Sequence, residues 1–427
     1  MKDQRAQYAE VARAAAEHIL GEAPSAFTPQ RMTKYAHWFT DASDTALIAV
    51  VTPGEKVTAA DEVLAYALAW QGDRDLHLVL PDELIAVTET RVAWLQTHVQ
   101  MWHYAGAGAP DAIVTPSRPE LFERLRSLRH RASRSTSLTD EHSSWIDSID
   151  TAGLAENNRS YLSWHHEGLQ VLKVSTRRGG LRVQAGVQYK TAPAGREPFD
   201  KTFNKTPTAG EIAVINAKIR LAMEDQGSQT SQMREHKLQA DLKGAASTFG
   251  LTHLWREFPA WRGLIASAPQ VVGRAGYIDF LGADAQGGLH VVETKIGHDP
   301  RVVLQALDYA IWVAANDDLV RTTLAANGHV IERPHSKRAS TAPATLHLVL
   351  GRTKGGTAFS PYLAGQIEAI AGDVDVRIHL IKDLKTPLDI VTLPKRQMWH
   401  PTGLVSAAVT GPRWPERLTT GLAGDQQ

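Results

Sequence analysis

Apolar and polar positions repeat with two periods along this chain, and the places where the period changes divide it into elements. The opening MKDQRAQYAEVARAAAEHIL scatters charges among alanines at helical spacing. Ala46 to Val51 is an unbroken apolar run of strand length closed by Thr52-Pro53-Gly54. A helical pattern from Ala59 to Trp70, a strand-like Asp75 to Pro81, a helix over Leu84 to Gln96 and a strand over Val99 to Tyr104 follow. This βαβαβ order predicts a small parallel sheet with helices on its faces. Further on, Leu169 to Val174 and Leu181 to Tyr189 flank Thr176-Arg177-Arg178-Gly179-Gly180, the pattern of a hairpin, and the polar Thr191 to Thr208 reads as a linker.

The second half begins with helices over Ala209 to Asp225 and Ser228 to Phe249 and a strand at Leu254 to Pro259. Strands at Tyr277 to Leu281 and Leu289 to Thr294 enclose the turn residues Asp284 to Gly288. A helix then starts after His298-Asp299-Pro300, with Asp299 as cap and Pro300 in the first turn. Strands at Thr345 to Leu350 and Val374 to Ile381 follow around a helix at Tyr362 to Ile370. The pattern divides into an N-terminal α/β domain over 1–135, expected to sense or interact, a hairpin and linker region over 136–208, a second α/β domain over 209–390 and a tail over 391–427.

Charges interrupt the central hairpin where propensity favours apolar residues. Asp279 lies between Ile278 and Phe280, and Glu293 follows Val291 and Val292, with Lys295 two residues on. Residues two apart on a strand share a face, so Glu293 and Lys295 project together and hairpin pairing brings Asp279 beside them. Paired carboxylates repel unless a proton or cation lies between them, and a hard divalent ion takes a few carboxylate oxygens plus water and substrate phosphate. Such an ion activates water and polarises a phosphoryl oxygen, while a nearby lysine steadies charge. The chemistry these residues imply is phosphodiester hydrolysis.

Asp279, then thirteen residues, then Glu293-Thr294-Lys295, with Gln305 and Tyr309 on the following helix, resembles the PD-(D/E)xK nuclease superfamily, in its RecB-type branch with a QxxxY element. The likeness covers roughly Ala209 to Lys385. It implies a restriction-endonuclease-like mixed sheet flanked by helices, and a Mg²⁺ (or Mn²⁺) ion held by Asp279, Glu293, the Thr294 carbonyl and a glutamate from an upstream helix, for which Glu235 is the candidate. It also implies that Lys295 assists the water and that Gln305 and Tyr309 orient Lys295 or a phosphate. DNA is the expected substrate and endonucleolytic cutting the expected mode, in restriction, anti-phage defence or repair. The alternative is a module that keeps the nuclease fold to bind nucleic acid or to signal without cutting.

Composition narrows the chemistry further. The 427 residues include no cysteine, which excludes disulfides, thiolate metal sites and cysteine nucleophiles. No apolar run is long enough to span a bilayer and the N-terminus lacks a signal-peptide core, so a cytoplasmic protein without membrane contact is expected, with room for a homo-oligomer. Formal net charge is zero, so attraction for nucleic acid must come from local patches. Arg124, Arg126 and Arg131 on one helical segment, and Arg177 and Arg178 in the hairpin turn, are candidate phosphate contacts. Solvated or packed basic faces explain them equally. His298, three residues past Lys295, is a weaker candidate metal ligand.

Overall fold

A computed structural model describes residues 2–27, 35–104, 109–127, 144–158, 161–166, 169–178, 180–186, 197–224, 231–260, 276–297, 299–334, 342–351, 362–383 and 389–393. The chain is mixed α/β and forms two compact units, one of Met1–His130 with Ala246–Gln427 and one of Arg131–Ala245. The sequence pattern placed boundaries near 135 and 208, and residues 209 to 245, expected to open the second α/β domain, belong to the middle unit.

The first unit starts with α1 (Lys2–Leu20), β1 (Ser25–Ala26), β2 (Ala36–Thr40), β3 (Ala46–Val51), α2 (Val57–Trp70), β4 (Asp75–Leu80), α3 (Asp82–Val92), β5 (Val99–His103), β6 (Asp111–Ala112) and α4 (Arg118–Ser127). Its six strands lie in sequence order. Only β3, β4 and β5 are parallel neighbours, while β1, β2 and β6 join antiparallel, so the sheet is mixed where a parallel one was expected. The tight turn after β2 explains the difference. The Asp41 carboxylate accepts hydrogen bonds from Ser43 Oγ at 2.6 Å, from Thr45 N at 2.6 Å and Oγ1 at 2.6 Å, and from Ala46 N at 2.8 Å. These bonds hold its carboxyl below the ordinary carboxylate range. With Asp44 in the left-handed region at φ 56°, the chain reverses at once and β2 must run against β3.

The middle unit contains β7 (Ala155–Asn158), β8 (Leu162–His166), β9 (Leu169–Arg177), β10 (Gly180–Ala185), β11 (Phe199–Phe203), α5 (Ala209–Glu224) and α6 (Ser231–Leu242). Its sheet is antiparallel throughout, in the order β11-β10-β9-β8-β7. Ile215 and Ile219 of α5 share a core with Val171, Leu181 and Val183. The expected β9–β10 hairpin is present, but the expected linker contains a strand, β11, paired to β10 from Leu181↔Phe203 to Ala185↔Phe199.

The first unit resumes with a 3₁₀ turn (Ala246–Phe249), β12 (His253–Ala260), β13 (Gly276–Ala283), β14 (Leu289–Ile296), α7 (Val302–Ala315), α8 (Asp317–Ala326), β15 (Thr345–Gly351), α9 (Leu363–Ala369), β16 (Val376–Asp383) and β17 (Asp389–Leu393). β12 to β17 again lie in sequence order, and their pairings run antiparallel, antiparallel, parallel, parallel, antiparallel. That is the sequence of pairings in β1 to β6, with a helix after the third strand and another after the fourth in both sheets. Register aligns them residue by residue. Phe39, Ile48 and His77 form one cross-strand row, and Phe280, Val292 and His347 form the equivalent row.

The two halves of this unit pack by equivalent helices. α2 lies on α9 and α3 lies on α7, and the segments that follow α3 and α9 pair with each other through Gln96 N to Ala369 O at 2.7 Å and Ala371 N to Trp94 O at 2.8 Å. This is the contact pattern of an approximate two-fold axis. Gly365 of α9 makes the approach possible, since a Cβ there would lie 2.8 Å from Ala69 Cα. Between the halves, Arg91 is fully buried with Asp61 and Asp308, which it grips by three hydrogen bonds of 2.5–2.7 Å.

Candidate active site

β13 and β14 place the charged residues. Their backbone ladder runs from Ala283↔Leu289 to Phe280↔Val292. Beyond that pair side chains take the backbone's role. Glu293 Oε1 accepts from Asp279 N at 3.2 Å, and Asp279 Oδ2 accepts from Thr294 N at 2.8 Å and Thr294 Oγ1 at 2.6 Å. Glu293 and Thr294 are buried and Asp279 is half-buried. Val291 belongs to the core beneath α7, so Glu293 and Lys295, two and four residues on, point to the same face. Lys295 Nζ lies 3.7 Å from Asp299 Oδ2.

Asp299 itself does not cap the helix. α7 begins at Val302 with Arg301 in the N-cap position, and Asp299 Oδ1 instead accepts from Arg301 N at 2.9 Å. Pro300 therefore lies ahead of the helix, because the Asp299 turn consumes the residues that a cap would use. His298 lies outside the described residues.

Gln305 and Tyr309 stand one turn apart on α7, which packs over β14 and β15. Gln305 is half-buried and Tyr309 is fully enclosed. The Tyr309 hydroxyl reaches the start of β13 beside Gly276, where any Cβ would collide with it. Gly276 thus gives the tyrosine room three residues before Asp279.

The neighbouring strand supplies residues that the sequence did not single out. Arg256 and Phe258 of β12 pair with Phe280 and Ile278, which flank Asp279, so Glu257 stands across from Asp279. Its φ is 55°, a left-handed conformation costing roughly 1–2 kcal/mol in a residue with a side chain. On the opposite face of the sheet His290, His347 and His379 form a chain of hydrogen bonds. Asp284 Oδ2 meets His290 Nε2 at 3.0 Å, His290 Nδ1 meets His347 Nε2 at 3.0 Å, His347 Nδ1 meets His379 Nε2 at 2.9 Å, and His379 Nδ1 meets Thr392 Oγ1 at 2.9 Å. Burial, then the neighbouring His379, His290 and Arg377, push the His347 imidazole well below its ordinary value. Burial and then the Arg377 charge push His379 down to about 4.

The remaining candidates lie elsewhere. Glu235 is half-buried on α6, in the middle unit, and is described with that unit. Arg124 pairs with Glu89 at 3.1 Å, and Arg126 donates to Ala315 O at 2.8 Å and pairs with Glu123 at 2.5 Å. Arg131 lies outside the described residues. Arg177 and Arg178 are exposed at the β9–β10 turn.

Two carboxylates on one hairpin suit Mg²⁺, which binds through one or two carboxylates and keeps its other positions for water and phosphate. Among the described residues no group of three or more His, Asp and Glu side chains converges as a protein cage. No family model, curated protein or solved structure matches the chain.

Proposed function

We propose that this protein is a metal-dependent nuclease that hydrolyses phosphodiester bonds in DNA, with its centre at Asp279, Glu293 and Lys295. The observation that carries this reading is the end of the β13–β14 ladder, where Glu293 Oε1 accepts from Asp279 N and Asp279 Oδ2 accepts from Thr294, with Lys295 on the same strand face as Glu293. The restriction-endonuclease-like core belongs to the same proposal, supported by a mixed sheet in which an antiparallel hairpin leads into parallel β14, β15 and β16.

Asp279, Glu293 and the Thr294 carbonyl would hold Mg²⁺ or Mn²⁺. The ion's contribution when bound is to lower the pKa of a water and to polarise a phosphoryl oxygen. Thr294 fixes Asp279 by two hydrogen bonds, so that carboxylate is held in place before substrate arrives. Lys295 would steady the charge that builds on the phosphoryl oxygens, and Gln305 would orient a phosphate or the lysine. The water oxygen forms one bond to phosphorus and gives up a proton to solvent, the bond to the leaving sugar oxygen breaks, and that oxygen takes a proton from solvent.

Purified protein incubated with labelled duplex and single-stranded DNA should cut only when Mg²⁺ or Mn²⁺ is supplied, and Asp279→Asn should stop the cutting while the protein still melts cooperatively. Undiminished cleavage in EDTA would remove the reading. A stable complex with DNA that never cuts, in either metal, would favour the binding module.

A further inference from the structure

The first unit contains the strand order and pairing of the catalytic half twice, and the equivalence of Phe39, Ile48 and His77 with Phe280, Val292 and His347 fixes what stands at each site position in the N-terminal copy. The residue before Phe280 is Asp279, and the residue before Phe39 is Trp38. The residues one and three beyond Val292 are Glu293 and Lys295, and those beyond Ile48 are Ala49 and Val51. On the following helices, Ala306-Leu307-Asp308-Tyr309-Ala310 matches Val63-Leu64-Ala65-Tyr66-Ala67, which sets Glu62 at the position of Gln305. The N-terminal copy thus keeps the tyrosine and lacks both carboxylates and the lysine.

Aromatic rings occupy that position. Trp38 meets Trp70 edge-on with centroids 5.0 Å apart, and Tyr66 stacks on Trp70 at 5.3 Å. Trp38, Ala49 and Val51 all belong to the main core. Nothing at these three positions can bind a cation or activate water.

We infer that the protein is a fused pseudo-dimer with one cutting centre, and that it breaks one strand of duplex DNA per encounter. The inference rests on the nuclease reading of the C-terminal half. A double-strand break made in one binding event needs two centres, one for each strand, and paired halves related by a two-fold axis are the geometry that would supply them. Here the twin position is filled with core residues. A second copy of the chain cannot restore a live centre at the same place, because α7 and α9 are already covered by α3 and α2. In each event one water oxygen replaces one sugar oxygen on phosphorus in one strand, and the complementary strand keeps all its bonds.

The test is a time course on covalently closed supercoiled plasmid with Mg²⁺ or Mn²⁺, from substoichiometric to excess enzyme. Open circles should accumulate until nearly all supercoiled DNA is consumed, with a rate first order in enzyme, before linear molecules exceed the few per cent expected from random opposed nicks. Linear product formed alongside open circles from the first time points, in constant ratio, would overturn the single-centre inference and leave the nuclease reading standing. So would untouched plasmid beside digested linear single strands. No cleavage of any DNA in either metal would remove the nuclease reading, and this inference with it.

Discussion

Arg91→Ala is the substitution expected to damage the fold most. The guanidinium and the Asp61 carboxylate are wholly out of water, and Asp308 is 3% exposed. Burial alone works against the charged guanidinium, but the Coulombic pull and hydrogen bonds of Asp308 and Asp61 outweigh it and hold Arg91 above its ordinary value. Asp308 takes a bidentate pair at 2.7 Å and 2.7 Å, and Asp61 a single bond at 2.5 Å. Removing one member of a buried ion pair costs roughly 3–5 kcal/mol, because the partner is left charged in a medium that cannot solvate it. Here two carboxylates are left, between α2, α3 and α7, so the upper part of that range is expected. Against a total stability of about 5–15 kcal/mol this is a large fraction. Arg91→Met combined with Asp61→Leu and Asp308→Leu removes all three charges and should recover more than half of the loss. The measurement is urea unfolding followed by tryptophan fluorescence and far-UV circular dichroism, whose coincidence checks two-state behaviour. An Arg91→Ala protein within about 1 kcal/mol of the parent would refute the argument that this triad joins the halves.

Gln305→Ala should bind DNA almost as well as the parent and cut about a hundredfold more slowly, as expected for a lost positioning group, in single-turnover cleavage with a parallel binding titration. Equal rates would make Gln305 a packing residue. Stability should fall between about pH 6.5 and 5, where few carboxylates titrate. His379 takes its proton near 6.5 when unfolded and only near 4 when folded, so its contribution is complete above the first value and gone below the second. From His379 alone the loss amounts to roughly 3 kcal/mol at full protonation, and His347 shifts the same way. Urea midpoints unchanged from pH 7 to 5 would contradict this. If Arg177 and Arg178 contact phosphates, replacing both with alanine should weaken binding for all sequences alike and reduce the slope of log K against log salt by about two. An unaltered slope would leave them as a solvated turn.

Continuous apolar runs were the most legible part of the sequence. Ala46 to Val51 is β3 with the expected bounds, and all six of its residues are buried. A strand covered on both faces reads as an unbroken run, which no helix of that length imitates. The central hairpin was legible for the opposite reason, since charges stood where burial disfavours them. β11 and β17 escaped notice because edge strands mix polar residues without strict alternation, as in Phe199-Asp200-Lys201-Thr202-Phe203. The role of Arg91 was hidden because its partners lie 30 and 217 residues away along the chain. The strain at Glu257 was equally invisible, as nothing in Arg256-Glu257-Phe258 announces a left-handed residue.

The duplication left a mark in the sequence, in the pentapeptide Leu-His-Leu-Val-Leu at residues 76–80 and again at 346–350. The copies are far apart compared with the short periods of repeat proteins, so regular spacing does not reveal them. What the two halves share and where they differ follow one physical rule. β4 and β15 are central strands between parallel neighbours, buried on both faces, where a change of volume in either copy costs stability. The carboxylates and lysine carry the opposite cost, because charges enclosed in a sheet destabilise it unless a ligand or partner meets them. Apolar residues at the equivalent positions avoid that cost, and Trp38, Ala49 and Val51 stand there in the N-terminal half. In the C-terminal half Thr294 holds the Asp279 carboxylate and the Asp279 backbone N–H holds that of Glu293, and on the proposed reading a bound cation would add to these contacts. Addition of Mg²⁺ should therefore raise the melting temperature of the parent more than that of Asp279→Asn, and equal shifts in the two proteins would separate the carboxylate pair from metal binding.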